Sequence, residues 1–250
     1  MTKVAVIGGS GLHNLPQMED HRTVTVETPW GEPSAPFECG RIGDVEVVFL
    51  SRHGTEKRKP PHMVNYRANM WAINEFKPDF VVGFGSVGSV LKEDGPGTLA
   101  VPDQLIDYTW GRECSYNKGD SETIMHVDFT NPFDEDVREL LLSAAEELEY
   151  TIVDGGVYGV TQGPRLETAA EVERMARDGV HYIGMTLMPE AGLARELGLR
   201  YAMVSQVVNY AAGRYESVEK IDFAGLGKIL EDTTMDSLKI VLRAAENFKK

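Results

Sequence analysis

Five apolar runs of this 250-residue chain stop at residues able to hold an anion or read a polar ring. Residues 4–12, VAVIGGSGL, end a strand in glycines that expose backbone N–H groups, with the Ser10 hydroxyl as one more donor. The spacing is not that of a dinucleotide fingerprint, and a tight turn is the alternative. Residues 47–61, VVFLSRHGTEKRKPP, bring Arg52 and His53 to a strand end. A guanidinium suits bidentate binding of a tetrahedral oxyanion, and a neighbouring imidazole can donate a further hydrogen bond. Lys57, Arg58 and Lys59 read as a solvated loop. In residues 81–90, VVGFGSVGSV, Gly85, Ser86 and Gly88 permit close backbone approach to a ligand, or form a sharp bend. In residues 182–196, YIGMTLMPEAGLARE, Thr186 can donate to an anion and Met185 can offer an adaptable apolar contact to a sugar ring. Residues 204–213, VSQVVNYAAG, deliver Asn209 to a strand end, either as a turn residue or as a reader of ligand. In residues 159–171, GVTQGPRLETAAE, Glu167 stands before a helical pattern, where a carboxylate often serves only as a cap.

The elements that must position these residues alternate. Strand-like runs fall at 4–8, 45–50, 80–85, 150–160, 181–186 and 201–209, and helical patterns at 64–76, 132–148, 168–179 and 189–199, with a last long helix from about 225 to 248. Such alternation predicts a three-layer α/β fold with a mostly parallel sheet flanked by helices. Residues 23–50 read instead as antiparallel strands joined by Gly/Pro turns, which makes the sheet mixed. No repeat or linker-like shift in composition interrupts residues 1–250, so one domain is expected. Ligands of open α/β sheets gather outside the carboxyl ends of the strands, where these residues would meet.

Bulk composition narrows the partners. A net charge of −14 argues against nucleic acid or an anionic membrane, and an anion site must concentrate positive charge locally. No apolar run is long enough for a membrane span, and the N-terminus lacks the pattern of a signal peptide. Cys39 and Cys114, without metal-ligand spacing, fit a reduced cytoplasm. No nucleophile elbow, P-loop or zinc motif is present. A reaction with phosphate itself as nucleophile would need neither a metal nor a protein nucleophile.

GGSGL, LSRHG, PPHMVNYRANMWAI, GPRLETAAEV and GMTLMPEAGLARELGL, in this order along nearly the whole chain, resemble the trimeric purine nucleoside phosphorylase and methylthioadenosine phosphorylase family. The resemblance implies phosphorolysis through an oxocarbenium-like transition state, with inorganic phosphate as co-substrate and no metal or organic cofactor. Phosphate attacks C1′ of a purine nucleoside, and charge builds on the leaving base. It also implies a homotrimer with active sites near subunit interfaces. By position, Ser10, Arg52, His53 and Thr186 match the phosphate binders, the backbone around Ser86 runs along phosphate and sugar, and Met185 lies beneath the ribose. Many relatives have Ala at the position of Ser86, and often Phe where Leu166 would pack on the base.

The base and sugar pockets then point to a substrate. Adenine-specific relatives carry Asp at the positions of Asn209 and Ala211 and commonly Ser at that of Glu167, whereas 6-oxopurine enzymes carry Glu and Asn as here. A Glu167 carboxylate accepts from N1–H of hypoxanthine, and the Asn209 amide can donate to O6 or bond N7. Against adenine, Glu167 would face a bare N1 lone pair, an unpaired contact costing roughly 1–3 kcal/mol. Enzymes for ordinary nucleosides place His near the ribose 5′-OH; the matching position here is Phe223, close to Ile221. An apolar lining favours a methylthio group through burial. His126 matches a His that a neighbouring subunit brings to this region. Together these imply methylthioinosine as substrate. Inosine and guanosine are the alternative substrates and methylthioadenosine a more distant one, while a non-catalytic nucleotide-binding module is the alternative of another class.

Overall fold

The computed structural model describes residues 1–9, 17–55, 58–119, 124, 126–223 and 225–248. In chain order the strands and helices are β1 (Thr2–Gly8), β2 (Glu19–Val24), β3 (Phe37–Ile42), β4 (Val45–Ser51), α1 (Tyr66–Glu75), β5 (Phe80–Ser89), β6 (Leu99–Val101) and β7 (Gln104–Asp107). There follow α2 (Glu135–Glu147), β8 (Ile152–Asp154), β9 (Val157–Val160), α3 (Ala169–Arg177), β10 (Tyr182–Gly184), α4 (Leu187–Glu196), β11 (Tyr201–Tyr210) and α5 (Leu226–Asn247).

One sheet joins all the strands. Its path runs β2-β3-β4-β1-β5-β10-β9-β7, and β11 branches from β5 to pair with β6, which pairs with β8. β1 lies parallel between β4 and β5, and β11 runs parallel to β5, while β2, β3 and β4 are antiparallel neighbours. The sheet is therefore mixed and mostly parallel, as the alternating pattern predicts. Helices α2 and α5 bury Val137, Leu141, Leu238 and Val241 against Val6, Val82 and Val204 on one face. Helices α1 and α4 bury Met70, Ile73, Leu187 and Leu193 against Ile7, Val81 and Met203 on the other. These are the three layers that the helical and strand periodicities require.

The single strand expected over 150–160 is two. Gly155 and Gly156 both take positive φ, 90° and 106°, and this turn sends β8 to β6 but β9 to β10 and β7. β6 and β7 carry no long apolar run, being three and four residues around Pro102, and their pairing comes from tertiary contact rather than local pattern. The 181–186 run is strand only over β10, because Thr186 already caps α4.

Candidate active site

A cavity of about 270 Å³ opens where β5, β10 and β11 end. Arg52, His53, Ser86, Leu166, Glu167, Met185, Thr186, Asn209, Ile221 and Phe223 all line it. Ser10 lies outside the described residues. His126 is exposed and lies off the cavity of its own chain. Six segments of chain separated by up to 171 positions thus supply the sequence-predicted lining, with Arg52 and Phe223 as its most distant members.

Arg52 departs from the expected geometry. It is fully buried, and its fork grips the Glu190 carboxylate, Nε to Oε2 at 2.6 Å and Nη2 to Oε1 at 2.7 Å. Nη1 donates to the Phe84 carbonyl at 2.8 Å and Nη2 also to that of Ile7 at 3.4 Å. Among the described residues these bonds engage four of its five N–H groups, so at most one N–H, not a bidentate pair, is left to the cavity. Burial opposes the charge, but Glu190 more than offsets it and lifts the Arg52 pKa above its usual value. Tyr201 donates its hydroxyl to Glu190 Oε1 at 2.8 Å, completing a buried network. Gly83 makes room for it: a Cβ there would stand 2.3 Å from the Tyr201 hydroxyl. Glu190 and Tyr201 escaped the sequence reading. The available signal was a carboxylate on the otherwise apolar face of α4, since an acid is rarely fully buried without a partner.

His53 also differs. Its Nδ1 lies 2.9 Å from the Lys59 carbonyl, which can only accept, so Nδ1 carries the proton. Burial, and then the Arg52 charge, push the ring's pKa below its usual value and favour the neutral form. In that form Nε2 is an acceptor, whereas a donor was expected of this residue.

Thr186 is buried at the N-cap of α4, and its side chain makes no capping hydrogen bond. Ser86 is exposed to the cavity. Gly184 gives Tyr158 its place behind this wall, because a Cβ there would lie 1.9 Å from the tyrosine oxygen.

Glu167 is not the cap of α3. Thr168 and Glu171 form a complete capping box, which leaves Glu167 to accept from the Thr161 hydroxyl at 2.5 Å. Asn209 owes its direction to an irregularity. Between Val207 and Asn209 the pairing of β11 with β5 shifts by one residue, so Val207 faces Val87 and Asn209 faces Gly88. The extra residue, Val208, breaks strict alternation and lets Val208 and Asn209 both line the cavity. The Asn209 Nδ2 donates to the Tyr210 carbonyl at 2.6 Å, which orients the amide, with the other N–H and Oδ1 left to face a ligand. Leu166, 42% exposed, and Phe223, 68% exposed, stand at an open mouth. Among the described residues no three His, Cys, Asp or Glu side chains gather as metal ligands would.

The site can therefore hold an oxyanion beside a single arginine N–H, an imidazole and hydroxyls, and a polar heterocycle between a carboxylate and an amide. A sequence model of the family described as the phosphorylase superfamily matches residues 3–244. A probable S-methyl-5′-thioinosine phosphorylase of Xylella fastidiosa is 46% identical over 216 residues, covering 86% of this chain and 87% of its own. A 6-oxopurine nucleoside phosphorylase of Pyrococcus furiosus is 39% identical, covering 98% and 92%. Among solved structures, methylthioadenosine phosphorylase from Schistosoma mansoni in complex with adenine superimposes with a TM-score of 0.89 at 30% identity, covering 98% and 91% of the two chains.

Proposed function

This chain belongs to the phosphorylase superfamily, and from that premise we propose that it cleaves S-methyl-5′-thioinosine with phosphate to hypoxanthine and 5-methylthioribose 1-phosphate. The observation that carries the reading is one cavity lined at once by Glu167 and Asn209 and by Ile221 and Phe223. The first pair suits a 6-oxopurine and the second an apolar 5′ substituent.

The chemistry follows from the groups present. Phosphate binds at the remaining Arg52 N–H, the Thr186 hydroxyl, the backbone beside Ser86 and Ser10. A protonated phosphate oxygen donates to His53 Nε2, so phosphate enters with a proton and the imidazole stays neutral. With Met185 beneath the sugar, phosphate attacks C1′ as the N9–C1′ bond lengthens and positive charge spreads over the ribosyl ring. Negative charge moves into the purine, N7 takes a proton from solvent in place of the one the phosphate gives up on forming the ester, and the Asn209 amide donates an N–H to O6 while its Oδ1 accepts from N7–H. Glu167, held at one oxygen by Thr161, offers the other to N1–H. Stabilising charge only as it develops is what lowers the barrier. Phosphate is the nucleophile, so the reaction as proposed draws on no metal or organic cofactor.

A homotrimer is part of the proposal. Leu166 and Phe223 stand exposed at the mouth, and Trp110, 73% exposed, and Ile124, 67% exposed, lie in the same connection between β7 and α2 as His126. Large apolar side chains exposed around a site are what an interface would cover. The cytoplasm is the proposed location, supported by two unpaired cysteines, one of them exposed. A second reading, phosphorolysis of inosine and guanosine, draws on the 6-oxopurine relative and on the exposure of Phe223, which shields a 5′ group only partly in one subunit.

Phosphate-dependent turnover of methylthioinosine, methylthioadenosine, inosine and guanosine, measured in parallel, tests the proposal. The highest kcat/KM is expected for methylthioinosine. A value for inosine as high would remove the sugar-pocket argument, and preference for methylthioadenosine would remove the base argument. Asn209→Asp is expected to move the ratio of methylthioadenosine to methylthioinosine upward by at least about tenfold, the worth of one buried polar mismatch.

A further inference from the structure

The loop between β7 and α2 carries a guanidinium that the proposed chemistry does not use. Arg112 donates through Nε to Gln162 Oε1 at 3.2 Å, through Nη1 to the carbonyls of Met185, at 2.8 Å, and Met188, and through Nη2 to those of Thr161, at 3.2 Å, and Gln162, at 2.9 Å. Five N–H groups thus meet six neutral acceptors, the Tyr66 hydroxyl oxygen being the sixth. The guanidinium lies 5.6 Å from the Tyr66 ring centroid, and the Tyr66 oxygen is 3.4 Å from Nη1.

We propose that Arg112 is a positioning residue that locks the base-reading loop to the sugar-bearing loop; this rests on the phosphorolysis reading above. Thr161 and Gln162 belong to the segment leading to Glu167, and the Thr161 hydroxyl holds the Glu167 carboxylate. Met185 belongs to the segment that ends in Thr186 and α4. Phosphate, C1′ and the leaving base must lie in line for displacement, and these two segments carry opposite parts of that line. Four backbone carbonyls turned towards one point repel one another unless a cation stands between them. Arginine alone supplies five donors in one plane; a lysine ammonium has three on a single atom and cannot span both segments. Of the groups proposed for phosphate, Thr186 lies on the clasped segment, whereas Arg52 and His53, in the turn after β4, receive no bond from Arg112, and the nucleoside alone meets both segments. Loss of Arg112 should therefore be felt by the nucleoside more than by phosphate.

Arg112→Ala and Arg112→Lys are compared with the unaltered enzyme by hydrogen exchange without ligand and by steady-state phosphorolysis of methylthioinosine. Both variants are expected to exchange faster in residues 161–167 and 184–188 together. The kcat/KM for nucleoside should fall ten- to a hundredfold, the scale of a misplacement of about 1 Å, with the KM for phosphate changed less than about threefold. Millimolar guanidinium should restore part of the activity of Arg112→Ala saturably, while ammonium should not. Unchanged exchange, faster exchange in one segment only, or equal losses for both substrates without guanidinium rescue would overturn the proposal. If Arg112→Ala does not fold, Arg112→Lys decides: turnover and exchange like the parent enzyme would overturn it. If the parent enzyme does not cleave methylthioinosine, the phosphorolysis reading falls by itself, and the exchange measurement still decides the clasp.

Discussion

His53 shows how one hydrogen bond sets what a residue can do. The Lys59 carbonyl takes the Nδ1 proton, and burial beside Arg52 disfavours a second one. Because the folded-state pKa lies below the usual imidazole value of about 6.5, the unfolded chain binds the proton first as pH falls. The native state then loses stability from about pH 6.5 downward, through the folded-state pKa, and this contribution is absent above that range. Urea unfolding of the parent protein and of His53→Gln at pH 7.5 and 5.5 checks this (both values chosen to bracket about 6.5). The parent is expected to lose more stability between the two; equal losses would remove the argument. Arg52 makes a related point. Its charge is held by Glu190, so its cavity-facing contribution is at most one directed N–H rather than an open fork.

At the scale of the element, the bulge in β11 aims the residue proposed to read the base. A regular strand would carry Asn209 on the same face as Val207, which is fully buried in the core. With Val208 inserted, the amide turns to the cavity and pairs opposite Gly88, where a Cβ would come within 3.3 Å of Nδ2. Inserting one residue into β5 between Val87 and Gly88, opposite Val208, should restore alternation and turn Asn209 away. Phosphorolysis is expected to fall by at least about a hundredfold, as for loss of a group that stabilises developing charge. Circular dichroism should keep its α/β signature. Activity within a few fold of the parent would show that the bulge does not aim the residue. The neighbouring α3 shows the complementary economy: its capping box uses Thr168 and Glu171 and thereby leaves Glu167 free for the cavity.

For the whole molecule, the open mouth and the position of His126 lead to a prediction about assembly. If each site takes His126 from a neighbouring subunit, His126→Ala and Asn209→Asp damage different halves of a shared site. Each homogeneous variant should be weakly active on methylthioinosine, and refolded mixtures of the two should regain activity at sites that pair an intact Asn209 with an intact His126. Sedimentation should give three times the 27.7 kDa of the chain. Mixtures no more active than the average of the two variants, or a monomer with full activity, would refute the shared site.

The chain's local patterns determined its layers, its mixed sheet and the residues that meet at the strand ends, because apolar periodicity and glycine placement follow from short-range geometry. They also contained Asn209, proposed here as the base reader, and the resemblance to known phosphorylases picked out the apolar pair at residues 221 and 223, whose side-chain types are legible without coordinates. Partnership was not legible. Whether Arg52 faces an anion or a buried carboxylate depends on Glu190, 138 positions away, and whether Glu167 caps a helix depends on Thr161 and Glu171. The direction of Asn209 depends on register against β5, and the service of Arg112 on carbonyls 49 to 76 positions distant. Those were decided only by the tertiary structure, since a hydrogen bond is a matter of distance and angle between groups that sequence separation does not bring together.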